Sequence, residues 1–198
     1  MMQAEGPDNI ARRRVARRTL VLLALVCAAP VVASYVAYYW LRPEARTNYG
    51  ELLQAGPAPD IVGTRDDGAP FQLSSLRGRW VLLIVDGSSC DESCERGLYA
   101  TRQARTMQGR EQDRVVRVLL QPTGAPPLSK ELLAGHAGMI VVQGDSLQWQ
   151  TLPGAVGLAA NIYLLDPRGN LVLRYPADPD IRGLAKDMER LLRASRIG

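Results

Sequence analysis

The chain is poor in the residues that build most metal sites, with one histidine and three cysteines among 198 residues. That scarcity all but excludes a four-ligand zinc site of the Cys/His kind within one chain. No glycine-rich phosphate loop, no internal repeat and no interleaving of basic with aromatic residues occurs. The net charge of +4 is a local feature. Residues 1–18 hold five arginines against one Glu and one Asp, Arg42 adds one more, and from Pro43 onward 18 basic and 18 acidic residues cancel. The basic excess therefore marks an N-terminal arm beside an apolar run, and nothing points to nucleic acid as a partner.

Charge is absent altogether from Thr19 to Leu41, T-L-V-L-L-A-L-V-C-A-A-P-V-V-A-S-Y-V-A-Y-Y-W-L. About 20 apolar residues cross a bilayer as a helix. Arginines on the N-terminal side fix that side in the cytoplasm, and Tyr35, Tyr38, Tyr39 and Trp40 form an aromatic belt at the far end. Pro30 is a kink of the sort membrane helices tolerate, and Cys27 is a small apolar filler at mid-span. A cleaved signal peptide, with V-V-A before Ser34 as its cleavage site, is the other reading. The run is longer than an ordinary signal core and stays apolar past that site. Arg17-Arg18 lacks the surroundings of a twin-arginine signal. The expected layout is a disordered basic cytoplasmic arm (1–18), a transmembrane helix (19–41), a linker (42–57) and a domain outside the cytoplasm (58–198). In a bacterium that compartment is the periplasm, where disulfides persist.

The domain is organised around Trp80 to Glu95, W-V-L-L-I-V-D-G-S-S-C-D-E-S-C-E. Trp80 to Val85 is short, branched and uninterrupted, the pattern of a strand buried on both faces. A polar break, Asp86-Gly87-Ser88-Ser89, leads to Cys90 and Cys94, and a helical pattern runs from about Cys94 to Gln108. A thiol pair thus sits where a central strand hands over to a helix. The partial positive charge and free N–H groups of a helix N-terminus favour thiolate, and thiolates exchange disulfides and bind soft metals. A purely structural disulfide is the alternative reading of the same pair.

Further strands are expected at Phe71–Leu73, Arg114–Gln121, Met139–Gln143, Asn161–Asp166 and Leu171–Tyr175, the last two a hairpin around Pro167-Arg168-Gly169-Asn170. Helices are expected at Leu128–His136, at Asp145–Leu152 with Asp145 as cap, and from Asp178 to Ser195, with Ile181, Leu184, Met188, Leu191 and Leu192 on one face. The order defines an α/β domain of the thioredoxin-like kind, a central mixed sheet with helices on both faces.

Phe71-Gln72-Leu73, Leu76-Arg77-Gly78-Arg79-Trp80-Val81-Leu82-Leu83, Cys90-x-x-x-Cys94 and Ile162-Tyr163-Leu164-Leu165-Asp166-Pro167-Arg168-Gly169 together resemble the Sco family of cytochrome c oxidase assembly proteins. The likeness covers about residues 57–195. It implies a thioredoxin-like fold, copper binding through Cys90 and Cys94, and a part in maturing the copper centre of an oxidase subunit. The partners it implies are the inner membrane and an oxidase subunit or another Sco-like copper assembly protein. Three departures stand out. Leu158 occupies the place of the family's distal histidine. Asp91 and Glu95 replace prolines that follow the cysteines. Gln121-Pro122-Thr123-Gly124 replaces an acidic segment. The chain is therefore expected to be a divergent Sco-like protein that lacks the third copper ligand.

Two chemistries remain for Cys90 and Cys94. Two thiolates can hold Cu(I), whereas Cu(II) is better suited to imidazole. The sole histidine, His136, is expected to be a capping or surface residue at a helix C-terminus. Met107, Met139 and Met188 read as core residues. In the other chemistry Cys90 attacks a disulfide and Cys94 resolves it. Asp91, Glu92 and Glu95 raise thiol pKa values and make the pair a weaker oxidant than DsbA, whose potential is about −120 mV. A non-catalytic scaffold stapled by the cysteines and a general membrane-tethered thiol reductase are the rival functions.

Overall fold

The computed structural model describes residues 7–40, 48–87, 90–154 and 161–195. It resolves into two compact units, Met1–Arg46 and Thr47–Gly198.

The first unit contains one helix, α1 (Pro7–Trp40). Its stretch Ala16–Ala37 is long and apolar enough to cross a membrane, by length and composition. The arginines expected in a disordered arm lie inside α1. Proline suits a first helical position, and Ala and Arg are good helix formers, so the basic segment continues the apolar helix instead of fraying from it.

The second unit is built on one eight-stranded mixed sheet. Its strands are β1 (Glu51–Pro57), β2 (Val62–Arg65), β3 (Pro70–Gln72), β4 (Trp80–Val85), β5 (Val115–Pro122), β6 (Met139–Gly144), β7 (Asn161–Leu165) and β8 (Asn170–Pro176). They lie in the order β1-β8-β7-β4-β5-β6-β2-β3. The pairs β4–β5 and β5–β6 are parallel and the rest antiparallel. The helices are α2 (Glu92–Thr106), α3 (Lys130–Gly135) and α4 (Ile181–Ala194). Ser129 caps α3 and Asp180 caps α4, each accepting a backbone N–H of the first turn.

All six residues of β4 are buried because both faces of the sheet are covered, in different ways. Trp80, Leu82 and Ile84 point into a cluster with Leu98 of α2 and Leu184, Met188 and Leu192 of α4, with Leu132 and Leu133 of α3 packed against it. Val81, Leu83 and Val85 point into a second cluster with Ile61, Phe71, Leu73, Trp149 and Leu152. The described α-helices thus gather on the first face. The second is closed by the β2–β3 hairpin and by 3-10 turns at Leu73–Leu76 and Trp149–Thr151, where helices were expected on both faces.

Two segments depart from the sequence reading. Residues 51–57, expected within a linker, are the edge strand β1, paired with β8. Asp187 of α4, fully buried, accepts the backbone N–H groups of Tyr49 at 3.1 Å and Gly50 at 2.8 Å. Arg174 of β8 pairs with Glu51. Gly56 and Pro57, at the end of the expected linker, close the strand on a sheet edge, where a missing N–H is tolerated. The segment 145–152 forms only the 3-10 turn Trp149–Thr151. Asp145 accepts the N–H of Leu147, two residues on, the turn geometry that competes with a helix start.

Candidate functional site

The site grows from the C-terminal end of β4. Asp86 continues the ladder, its N–H donating to the Leu120 carbonyl at 3.0 Å. Strand alternation turns its side chain to the face of Ile84, toward the first core cluster. The residue is 3% exposed. Its Oδ2 accepts the N–H of Cys90, four residues on, at 2.7 Å. Cys90 has φ +50°, the one non-glycine residue in the left-handed region among the described residues. Holding an L-residue there costs about 1–2 kcal/mol, and the buried Asp86 hydrogen bond offsets it.

Cys90 stands directly before the cap of α2. Asp91 is the N-cap, accepting the N–H groups of Ser93 and Cys94 at 3.0 and 3.1 Å. The hydrogen bond from Cys94 is the main reason its carboxyl is held below the usual carboxylate range. Cys94 lies in the first turn, 5.0 Å from Cys90 between Cα atoms, and the two form a disulfide. Cys90 is 8% exposed and Cys94 1%. Of the two, Cys90 is the less deeply buried. The helix starts two residues earlier than the pattern indicated because Asp91, with its short acceptor side chain, is the stronger cap.

The acids around the pair have separate employments. Asp91 caps the helix, and Glu92 pairs with Arg96 one turn on, at 2.8 Å. The carboxylate that meets the sulfurs is Asp86: ligand atoms of Asp86, Cys90 and Cys94 all lie within 4.8 Å of one another, and all three residues are buried. The sequence reading passed over it as part of a polar break. Its signal was present, since an acid placed in step with the inward face of a wholly buried strand must itself be buried.

A second missed residue is Gln121, which follows Leu120 in β5 as Asp86 follows Val85 in β4; those two strands pair at Val85 and Leu120. Gln121 is 1% exposed, and neither its amide nitrogen nor its amide oxygen has a hydrogen-bond partner.

His136 is not brought to the site. It ends α3 as a buried cap, with Nδ1 3.3 Å from a guanidinium nitrogen of Arg117. Burial first and the Arg117 charge second push its pKa down to about 4. Of the two expected roles, capping or surface, His136 has the first, and its ring is buried and neutral where a cation was expected. Arg117 pairs with Leu82, four residues back along the chain from Asp86. Arg117 itself donates to the carbonyls of His136 and Ala137, and Arg102 to that of Gly135, so two guanidinium groups satisfy the end of α3. Met188 is a core residue, Met139 packs against the first cluster, and Met107 is 58% exposed, out of the core expected for it. Cys27 is a free thiol on α1. Leu158, Ser88 and Ser89 lie outside the described residues.

Reduced, the two cysteines offer soft thiolates suited to Cu(I), and Asp86 adds a hard oxygen that Cu(I) takes poorly. As a disulfide the same sulfurs have no thiolate to give. Asp86, Cys90 and Cys94 could therefore hold a metal ion only when the pair is reduced.

Fold and site together define a thioredoxin-like protein with a Cys-x-x-x-Cys pair at the end of its central strand and one long apolar helix ahead of the domain. The chain belongs to the transmembrane-like, thioredoxin-like, C-terminal domain family, which matches residues 80–195. A protein of Stutzerimonas stutzeri, named as a candidate copper-binding protein, is 30% identical over 182 residues, covering 84% of this chain and 85% of the relative. Among solved structures, copper-bound ScoI of Arabidopsis thaliana superposes with a TM-score of 0.59 at 18% identity, over 71% of this chain and all of that one. A candidate thiol:disulfide interchange protein DsbE of Chlorobium tepidum gives 0.55 at 19%, over 73% and all of its chain. At those identities the likeness is one of fold. The domain thus shares the fold of Sco and thiol:disulfide interchange proteins, with Asp86 beside the sulfurs of its Cys-x-x-x-Cys pair.

Proposed function

We propose that this is a membrane-anchored, N-in protein whose domain works on the periplasmic side in assembly of a haem–copper oxidase, by thiol–disulfide exchange at Cys90 and Cys94. The observation that carries the reading is the Cys90–Cys94 disulfide at the start of α2, Cys90 the less deeply buried of the two, with the Asp86 carboxylate beside the sulfurs. In the reducing direction the Cys90 thiolate attacks a partner disulfide, forms a mixed disulfide and releases one partner thiolate. Cys94 then attacks the Cys90 sulfur, Asp86 taking the Cys94 proton. The internal disulfide closes and the second partner sulfur leaves, receiving that proton. Two electrons pass from the pair to the partner.

Cu(I) handling by the reduced pair is the second reading. It is favoured by the Asp86–Cys90–Cys94 cluster and by the name of the Stutzerimonas relative.

The test is complementation. In a strain lacking the protein, oxidase activity should fall while other exported disulfide proteins mature normally. The wild-type chain should restore it and Cys90→Ser should not. Restoration by a Cys90→Ser, Cys94→Ser double variant would overturn both chemistries and leave a scaffold. A Cu(I) competition titration of the reduced full-length protein in detergent separates the two. One-to-one binding that the double variant loses supports copper handling, and binding equal in both leaves exchange alone.

A further inference from the structure

We infer that Gln121 is a positioning residue for the disulfide, one whose side-chain amide is satisfied only when the Cys90–Cys94 bond is open. The inference rests on the exchange reading and deepens it.

Three observations carry it. The paired strands β4 and β5 run parallel with Val85 opposite Leu120, and Asp86 N–H reaches the Leu120 carbonyl, so Asp86 and Gln121 are the next neighbours in register. Alternation then puts Gln121 on the face of Leu119, the face on which both cysteines pack. Among the described buried side chains without a hydrogen-bond partner, Gln121 alone leaves both a donor and an acceptor idle; the others are the ring nitrogens of Trp80 and Trp149 and one guanidinium nitrogen of Arg65. A buried amide that is desolvated and unpaired weighs against the state in which it occurs, and here that state is the disulfide.

Reduction changes what the sulfurs on that face offer to an amide. A disulfide sulfur is a poor acceptor and carries no proton. When a dithiol reductant donates two electrons and two protons, the S–S bond breaks and leaves two thiol groups. A thiolate there accepts from the amide N–H, and a thiol donates to the amide oxygen. Gln121 therefore favours the reduced pair and counters the acidic neighbours, which favour the disulfide.

The experiment uses the full-length protein in detergent with Cys27→Ser as background, so that only the pair titrates. Wild type, Gln121→Leu and Gln121→Met are equilibrated in graded mixtures of reduced and oxidised glutathione, and the thiols are counted by alkylation. Both substitutions should move the equilibrium about tenfold toward the disulfide, which is about 30 mV for a two-electron couple. Thermal unfolding of the oxidised and reduced forms supplies the second readout. Gln121→Leu should raise the midpoint of the oxidised form relative to the reduced one, whereas an amide with a merely structural role moves both alike. The methionine variant carries the test if the leucine variant does not fold. An equilibrium unchanged within twofold in a folded variant overturns the inference and leaves the exchange reading standing. A wild-type pair that fails to equilibrate with glutathione at all overturns both.

Discussion

Replacing Asp187 with alanine tests how β1 is held to the domain. The carboxylate is buried and accepts two backbone N–H groups, that of Gly50 in a fully buried bond and that of Tyr49 in a partly buried one, with the Tyr175 hydroxyl at 3.4 Å. Burial first, and the Asp187 charge after it, push the Tyr175 phenol well up, so it stays a donor. A hydrogen bond to a charged acceptor contributes about 1.5–3 kcal/mol, and a donor left buried without a partner costs about 1–3. With the fully buried Gly50 donor costing about 2 kcal/mol and the partly buried Tyr49 donor about 1, the variant should lose about 3 kcal/mol. For a unit of about 150 residues that is a fall in Tm of roughly 6–12 °C. Thermal unfolding of the full chain in detergent measures it. Hydrogen exchange locates it, since amides of β1 should lose protection before those of β4. Asp187→Asn, which keeps one acceptor oxygen, should fall between. A loss below about 2 °C, or protection lost evenly across the sheet, would refute the idea that this carboxylate pins the strand.

Three other outcomes are expected. Asp86→Asn keeps an acceptor for the Cys90 N–H and removes the proton acceptor, so it should slow disulfide closure on a model dithiol substrate by about 10² or more while leaving Tm within a few degrees. Reducing Cys90–Cys94 opens a ring with a sequence separation of only 4, which should cost about 2 kcal/mol; circular dichroism should find the reduced domain still folded. His136, with its folded pKa of about 4 against 6.5 when unfolded, binds a proton in the unfolded state first. Its contribution to stability is therefore full above pH 6.5 and lost as pH falls toward 4, and this part of the acid destabilisation should be missing in His136→Gln.

The parts of the fold that could be read from sequence are those with a local cause. Trp80–Val85 is six apolar residues in a row, and its bounds in the structure are those of the run. The hairpin at Asp166–Gly169 was marked by its turn residues, where Asp166 accepts the N–H groups of Arg168 and Asn170. What escaped was set by distant partners. β1 is a strand because β8 and Asp187, more than 110 residues away, receive it. β2 has four residues, half of them exposed, and only its place between β3 and β6 makes it a strand. At the site, cysteine spacing was visible without any structure. The burial of Asp86 could have been read from its place in step with a wholly buried strand; that of Gln121 could not, because it depends on the register between β4 and β5. His136 misled because its helix end gives the expected attraction for a cation, but Arg102 and Arg117 already occupy those carbonyls.

The direction of β1 bears on where this protein can act. β1 runs antiparallel to β8, β8 to β7 and β7 to β4, with Glu51 level with Arg174 and Val85 level with Asn161 and Pro176. Whatever path residues 41–47 take, the chain is therefore fed into the domain at the end of the sheet that carries Cys90 and Cys94. In a copy held in a bilayer by α1, the point of attachment and the reactive sulfur share one pole. Such a copy searches a small volume around its own anchor. A partner held in the same membrane is met at a high effective concentration, and one diffusing freely through the compartment at its bulk concentration only. Selectivity for membrane-bound partners can thus arise from the polarity of one edge strand, with no recognition surface beyond the disulfide itself.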